Sequence, residues 1–331
     1  MARKSLITLA FVTMLAAGWI TAVFANGTQE QSGASTAAAK YPDKAITLMV
    51  PYGAGGGTDV TARMLADPLS KVLGVPVVVL NVTGGGGWNG WSKLAHEKPD
   101  GYFIGFTNVP NMYAGYLDPK LHRNESLASF TPIVANVVDP CIWSVVPNSK
   151  FKSLKQLLTY AKDHPTEVSI DAHGFGGDDW LGIHRIEQLS GAKFSIVNNN
   201  STAQSITQAM SGNIDVLAAN VGEVANRIKD GELRGLGVLW DKRSEFLPNV
   251  PTFKEQGYDD VMFAGRVISG PAGMSQDRVK TLIAAIDKAV QNPQYKSKMK
   301  NLGLQLDMRT GPALETFLKN NEQMVKQLMG W

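Results

Sequence analysis

From residue 45 onward the chain alternates two kinds of hydrophobic pattern. Short, mainly apolar runs at residues 46–51, 75–81 and 102–107 are separated by stretches such as 59–73, whose apolar positions return every three to four residues. A short apolar run predicts a strand, and the longer spacing predicts a helix with one buried side. Pro68 lies inside the first such helix and predicts a kink. The alternation then resumes. A helix is expected over 153–164, with Leu154, Leu157, Leu158 and Ala161 on one side, and a strand over 168–172. A helix follows over 180–189, with Leu181, His184, Ile186 and Leu189 on one side, then a strand over 194–197, a helix over 203–210 and a strand over 214–219. Residues 233–240 and 261–269 read as extended, and 275–328 as mainly helical, interrupted at Pro293 and Pro312.

Alternating strands and helices predict an α/β fold with mostly parallel sheets. The second half carries its own βαβ series, whereas the last helices have no sheet and are expected to return to the first one. The expected organisation is a hinged clamp. Residues 41–143 with 264–331 form a discontinuous first lobe and 144–263 a second, with strand-like crossings near 142–147 and 264–270. Two such linkers suit hinge closure.

The first forty residues read differently. Arg3 and Lys4 precede an apolar run over 6–25 that ends in Val23-Phe24-Ala25, the pattern of a secretory signal peptide cleaved after Ala25. Thr8, Thr13, Gly18 and Thr21 dilute the run, which argues against a permanent membrane span. Residues 26–40, rich in Gly, Ser, Thr, Ala and Gln, cannot bury a core and predict a disordered tether. The formal net charge of +3 falls to +1 without Arg3 and Lys4, so charge gives no sign of a nucleic-acid partner. Cys141 is the one cysteine and sits in the apolar run 140–145, where a buried structural thiol is expected.

The chemistry concentrates in glycine loops. Pro51-Tyr52-Gly53-Ala54-Gly55-Gly56-Gly57-Thr58-Asp59 joins a strand to a helix. Glycines let a backbone approach a ligand closely, and a helix N-terminus offers unpaired N–H groups at its positive end, so an anion is the natural guest. A helix cap at Thr58 or Asp59 is the plainer reading, but it does not require so many glycines. Gly84-Gly85-Gly86-Gly87 follows the second strand in the same way, and the carboxyl ends of adjacent strands are where open α/β sheets bind ligands. Ala172-His173-Gly174-Phe175-Gly176-Gly177-Asp178 offers a facing loop on the second lobe. None of these loops contains Lys or Arg, so backbone dipoles are expected to neutralise the anion. Asp171, Asp178 and Asp179 either read an ammonium group or face solvent, with at least one of the last pair capping its helix. No phosphate loop, nucleophile elbow or HExxH is present in the sequence, and the histidines lack metal-ligand spacing. Neither a cofactor, a metal nor a catalytic group is expected.

Taken in order, five blocks resemble the substrate-binding proteins of tripartite tricarboxylate transporters, the Bug or TctC-like family. They are residues 50–63, Asn81 with 84–87 and 99–102, residues 212–216, residues 247–257 and residues 270–273. The resemblance implies a two-lobed type II periplasmic-binding-protein fold that closes on a small carboxylate and passes it to the permease subunits of a membrane transporter. The cleft residues expected on this basis are Tyr52, Gly53, Gly55, Gly56 and Asp59 in the first loop, Gly84, Gly85 and Gly86 in the second, and Asn108. On the other lobe they are His173, Gly174, Gly176, Asn199 and Asn220. The 173–177 loop lacks the Ser or Thr common in the family, and 198–202 (Asn-Asn-Asn-Ser-Thr) replaces its Tyr-Lys-Gly-like segment, which implies an altered distal pocket. A periplasmic monomer follows. Two rivals stay open: an exported α/β enzyme acting on a small organic acid, and a sensor that uses the same clamp.

Overall fold

The computed structural model describes residues 41–199 and 201–331. The expected signal peptide and tether, residues 1–25 and 26–40, lie outside them. Strand β1 (Ile46–Val50) leads into helix α1 (Gly57–Leu73), which continues through Pro68 and ends at Gly74 in the left-handed conformation. Then come β2 (Val77–Asn81), α2 (Trp88–Ala95), β3 (Phe103–Val109) and α3 (Asn111–Leu117). β1 pairs in parallel with both β2 and β3. That central place explains why Ile46, Leu48, Met49 and Val50 are all fully buried.

The long strand β4 (Phe130–Val145) carries the chain out of this sheet. It is followed by α4 (Leu154–Asp163), β5 (Val168–Ala172), α5 (Asp178–Ser190), β6 (Phe194–Asn198), α6 (Thr202–Met210), β7 (Leu217–Asn220), α7 (Val221–Lys229) and β8 (Arg234–Val238). Strand β9 (Phe263–Pro271) brings the chain back, and α8 (Gln276–Val290), α9 (Pro293–Asn301), β10 (Leu306–Arg309) and α10 (Gly311–Met329) complete it. Up to Pro140, β4 pairs antiparallel with β9, and from Cys141 it pairs with β7 and β8. One strand therefore belongs to both sheets. In the second, β5 pairs in parallel with β6 and reaches β7 through an Ile170–Val216 bridge. This is the two-lobed α/β architecture expected, and α8 does return to the first sheet, packing on α1 and β4.

Three hydrophobic clusters cover these sheets. One joins Leu48, Leu65, Phe106 and Ile286 on one face of the first sheet. A second includes Trp91, Tyr113 and Phe317 together with Trp143, Phe194 and Phe253. A third lies around Ile142, Leu217, Val224 and Val238. No helix among the described residues is long and apolar enough to cross a membrane.

The breaks expected at Pro293 and Pro312 are present, each proline sitting in the first turn of a new helix, where a missing N–H costs nothing. Several local expectations need correction. Between those helices Leu306–Arg309 adds an antiparallel edge strand to β4 in what reads as a helical stretch. The strand expected from 214 begins at Leu217. Leu189 is exposed rather than sharing the buried side of α5, and His184 stacks on Trp180 with ring centroids 4.0 Å apart.

Candidate ligand-binding site

A cavity of about 70 Å³ lies where strand ends meet helix starts. The loop after β1 contributes Tyr52, Gly53 and Gly56, and the first turn of α1 contributes Gly57 and Thr58. Asn108 at the end of β3 and Asn111 at the start of α3 complete that side. Opposite them stand His173 after β5, Asp178 and Asp179 in the first turn of α5, and Ser201 and Thr202 at the start of α6. Asn220 and Glu223 around the start of α7, with Ala264 and Arg266 on β9, form the floor. Five helices thus point their N-termini towards one space, at the carboxyl ends of β1, β3, β5 and β7.

Of the expected cleft residues, Tyr52, Gly53, Gly56, Asn108, His173 and Asn220 line this cavity. The others stand around it. Asp59 is a brace: its carboxylate accepts the Gly55 N–H at 2.9 Å, the Arg63 guanidinium at 2.9 Å and the Asn81 amide at 2.9 Å, and so fixes the loop's shape. Gly84, Gly85, Gly86 and Gly87 all have positive φ, a path open to glycine at low cost. Gly86 approaches Gly174, so the second loop meets the opposing one: a Cβ on Gly174 would lie 3.6 Å from the Gly86 Cα. Gly176 abuts Ala114 of α3, where a side chain has no room. Asn199 is buried and donates to Ser205 and Gln208 at the flank of α6.

The charged residues at the floor are those that sequence reasoning missed. Arg266 is 1% exposed; its guanidinium donates to Thr61 Oγ1 at 2.9 Å and to Asp139 Oδ2 at 3.0 Å, while its Nε has no partner. Glu223 spans the cleft. Its Oε1 accepts the Gly57 N–H at 3.2 Å and the Thr202 hydroxyl at 2.7 Å, and its Oε2 accepts the Asn220 N–H, completing a capping box on α7. Asp178 and Asp179 do not face solvent and neither is the helix cap, which is Gly177. Asp178 Oδ2 accepts the Asn220 amide at 2.8 Å and the Cys141 thiol at 3.1 Å. Asp179 Oδ2 lies 2.6 Å from His173 Nδ1.

Cys141 is buried, as expected, and burial pushes its thiol well up, so it stays protonated. Its sulfur and the carboxylates of Asp178 and Asp179 come within 4.8 Å of one another, but that thiol proton is already given to Asp178. Burial likewise keeps the Tyr52 hydroxyl protonated, and it has no partner.

Burial shifts the acids of this region upward. Asp139 rises to about 7 against the pull of Arg266, and Asp171 to about 6 against that of His173. Burial alone would lower His173, but the bond to Asp179 and the charges of Asp179 and Asp171 raise it to about 10. An acid whose folded pKa is raised stabilises below its unfolded value of 3.8, and that stability is lost as pH rises through the folded value. His173 acts in the same sense, with stability lost towards pH 10. The melting temperature is therefore expected to fall between pH 5 and pH 8, with Asp171→Asn flattening the lower part of the slope. At 1.36 kcal/mol per unit the effect is of order a few kcal/mol, within reach of calorimetric melting.

A two-sheet α/β fold with a cavity between the sheets is the architecture of the periplasmic binding proteins. The profile of the tripartite tricarboxylate transporter family receptor matches residues 61–329, and the chain belongs to that family. It is similar to the protein BugT of Bordetella pertussis, with 29% identity over 262 residues, 78% of this chain and 80% of that one. A UPF0065 protein of Cupriavidus necator is 29% identical over 272 residues, 80% of each chain. Among solved structures, the periplasmic binding protein BugD matches with a TM-score of 0.80 and 26% identity over 88% of this chain and 98% of its own. The family is one of receptors and BugD is a periplasmic binding protein, which removes the exported-enzyme reading.

Proposed function

We propose that this chain is an exported, monomeric receptor that captures a small carboxylate in the interlobe cavity and delivers it to the permease subunits of a tripartite tricarboxylate-type transporter. Residues 1–25 direct export and 26–40 tether the clamp, whose lobes divide near residues 143 and 263. One observation carries the reading. The N-terminus of α1 opens onto a buried cavity that also holds the unpartnered hydroxyl of Tyr52 and the guanidinium of Arg266. The carboxylate lies against the α1 first turn and accepts from Tyr52. Each such charge-assisted bond contributes on the order of 1.5–3 kcal/mol, so two or three support micromolar binding. Bound to both lobes, the ligand favours the closed state by its differential contacts.

Thermal melting of the chain from Asn26, against a panel of small mono-, di- and tricarboxylates, tests this. A ligand at about 100 times its Kd adds roughly 2.7 kcal/mol, a clear upward shift. A panel without any shift, from protein shown by mass spectrometry to carry no bound solute, would sink the carboxylate reading.

A further inference from the structure

We infer that the captured acid also carries a protonated amine, and that Asp178 and Asp179 at the start of α5 are the groups that read it. The inference rests on the carboxylate reading above and narrows it.

Charge around the cavity favours an amine. Three of the acids around the cavity have a basic partner: Asp139 pairs with Arg266, while Asp179 and Asp171 share His173. Asp178 and Glu223, both lining the cavity, have no ion-pair partner among the described residues. Glu223 is spent on neutral donors of the chain itself, from Gly57, Thr202 and Asn220. Asp178 receives its two donors on a single oxygen, Oδ2. Asp178 and Glu223 are thus carboxyl groups that no cation of the described residues engages, and burial together with the neighbouring Asp178 already drives the Asp179 carboxyl well above its usual range. A ligand carboxylate adds to that crowding of acids, whereas an amine relieves it.

Hydrogen-bond valence favours it independently of charge. Asp179 Oδ1, Asn108 Oδ1 and Asn111 Oδ1 are buried at this cavity and have no partner. The residues Asp179 and Asn108 are each 3% exposed. The amide of Asn108 is oriented by its own bond, Nδ2 donating to Thr58 Oγ1 at 2.9 Å, so the orphaned atom is the oxygen. Buried acceptors require donors. A carboxylate ligand has only acceptors to offer, while an ammonium group brings three N–H donors. Capping does not account for the aspartates, since Gly177 is the cap residue and both carboxylates are drawn sideways into contacts with Asn220, Cys141 and His173.

Calorimetric titration of the chain from Asn26 with matched acids separates the alternatives. The pairs are succinate and aspartate, glutarate and glutamate, and butyrate and 4-aminobutyrate, with putrescine as an amine lacking any carboxylate. At least one amino member is expected to bind at least tenfold more tightly than its amine-free twin. Asp178→Asn and Asp179→Asn are each expected to erase that margin. The wild-type comparison stands even if a variant fails to fold. Equal or tighter binding of the amine-free twins overturns the inference and leaves the carboxylate reading intact. Binding of putrescine alone supports the acidic reader and overturns the carboxylate. No heat from any member overturns both.

Discussion

Gly57→Leu abolishes ligand binding, weakening it at least hundredfold, while the protein still folds cooperatively. Gly57 begins α1, and any Cβ there would run into the Arg266 guanidinium and stand 2.9 Å from Glu223 Oε1. Neither neighbour can yield freely. Arg266 is held by Thr61 and Asp139, and Glu223 by Thr202 and Asn220. The leucine therefore both fills the cavity and displaces two of its charged walls. Overpacking of this kind costs about 1–3 kcal/mol of stability, the same order as the roughly 2.7 kcal/mol that a hundredfold loss of affinity represents, so both must be measured. Titration beside urea unfolding separates the two. Unchanged affinity would show that the α1 N-terminus is not the binding surface. Gly56, by contrast, has only the Gly53 carbonyl near its would-be Cβ, at 3.7 Å, so Gly56→Ala is expected to be far milder.

The second large effect is on stability. Arg266→Met leaves the Asp139 carboxylate, 1% exposed, without its cation. Breaking a buried pair from one side costs about 3–5 kcal/mol, measurable by urea unfolding at pH 8. Asp139 escapes part of that cost by taking up a proton, so the loss is expected to shrink at pH 5. Asp139→Asn in the same chain recovers most of it. Arg266→Lys does not restore the wild type, because a single ammonium cannot repeat the fork that reaches Thr61 and Asp139 together. A loss below 1 kcal/mol at pH 8 would mean that the pair carries no such burden.

The sequence makes the glycine loop between β1 and α1 readable because local physics alone demands it: a strand, a turn too flexible for a cap, then a helix start. The same reasoning finds the alternating elements of both lobes, since their hydrophobic periods are set by neighbours within one element. It is weaker wherever partners are distant. Arg266 pairs with Asp139 across 127 positions, and Gly57 meets Glu223 across 166. A signal for Arg266 did exist. It stands alone within the apolar run 261–268, where an unpaired charge would be prohibitive, so a buried partner is implied. The aspartates of α5 read equally well as helix caps, and only the fold shows them turned away from solvent. Leu306–Arg309 is strand only because the edge of β4 is there to receive it.

The most direct measurement of the central claim is a crystal structure of the chain from Asn26 with the acid that raises its melting temperature most. That acid is expected in the interlobe cavity, its carboxylate within hydrogen-bond distance of the Gly57–Thr58 backbone and the Tyr52 hydroxyl, with contacts to both lobes. Density for the acid elsewhere, or a carboxylate turned away from the α1 N-terminus towards the α5 aspartates, would contradict it.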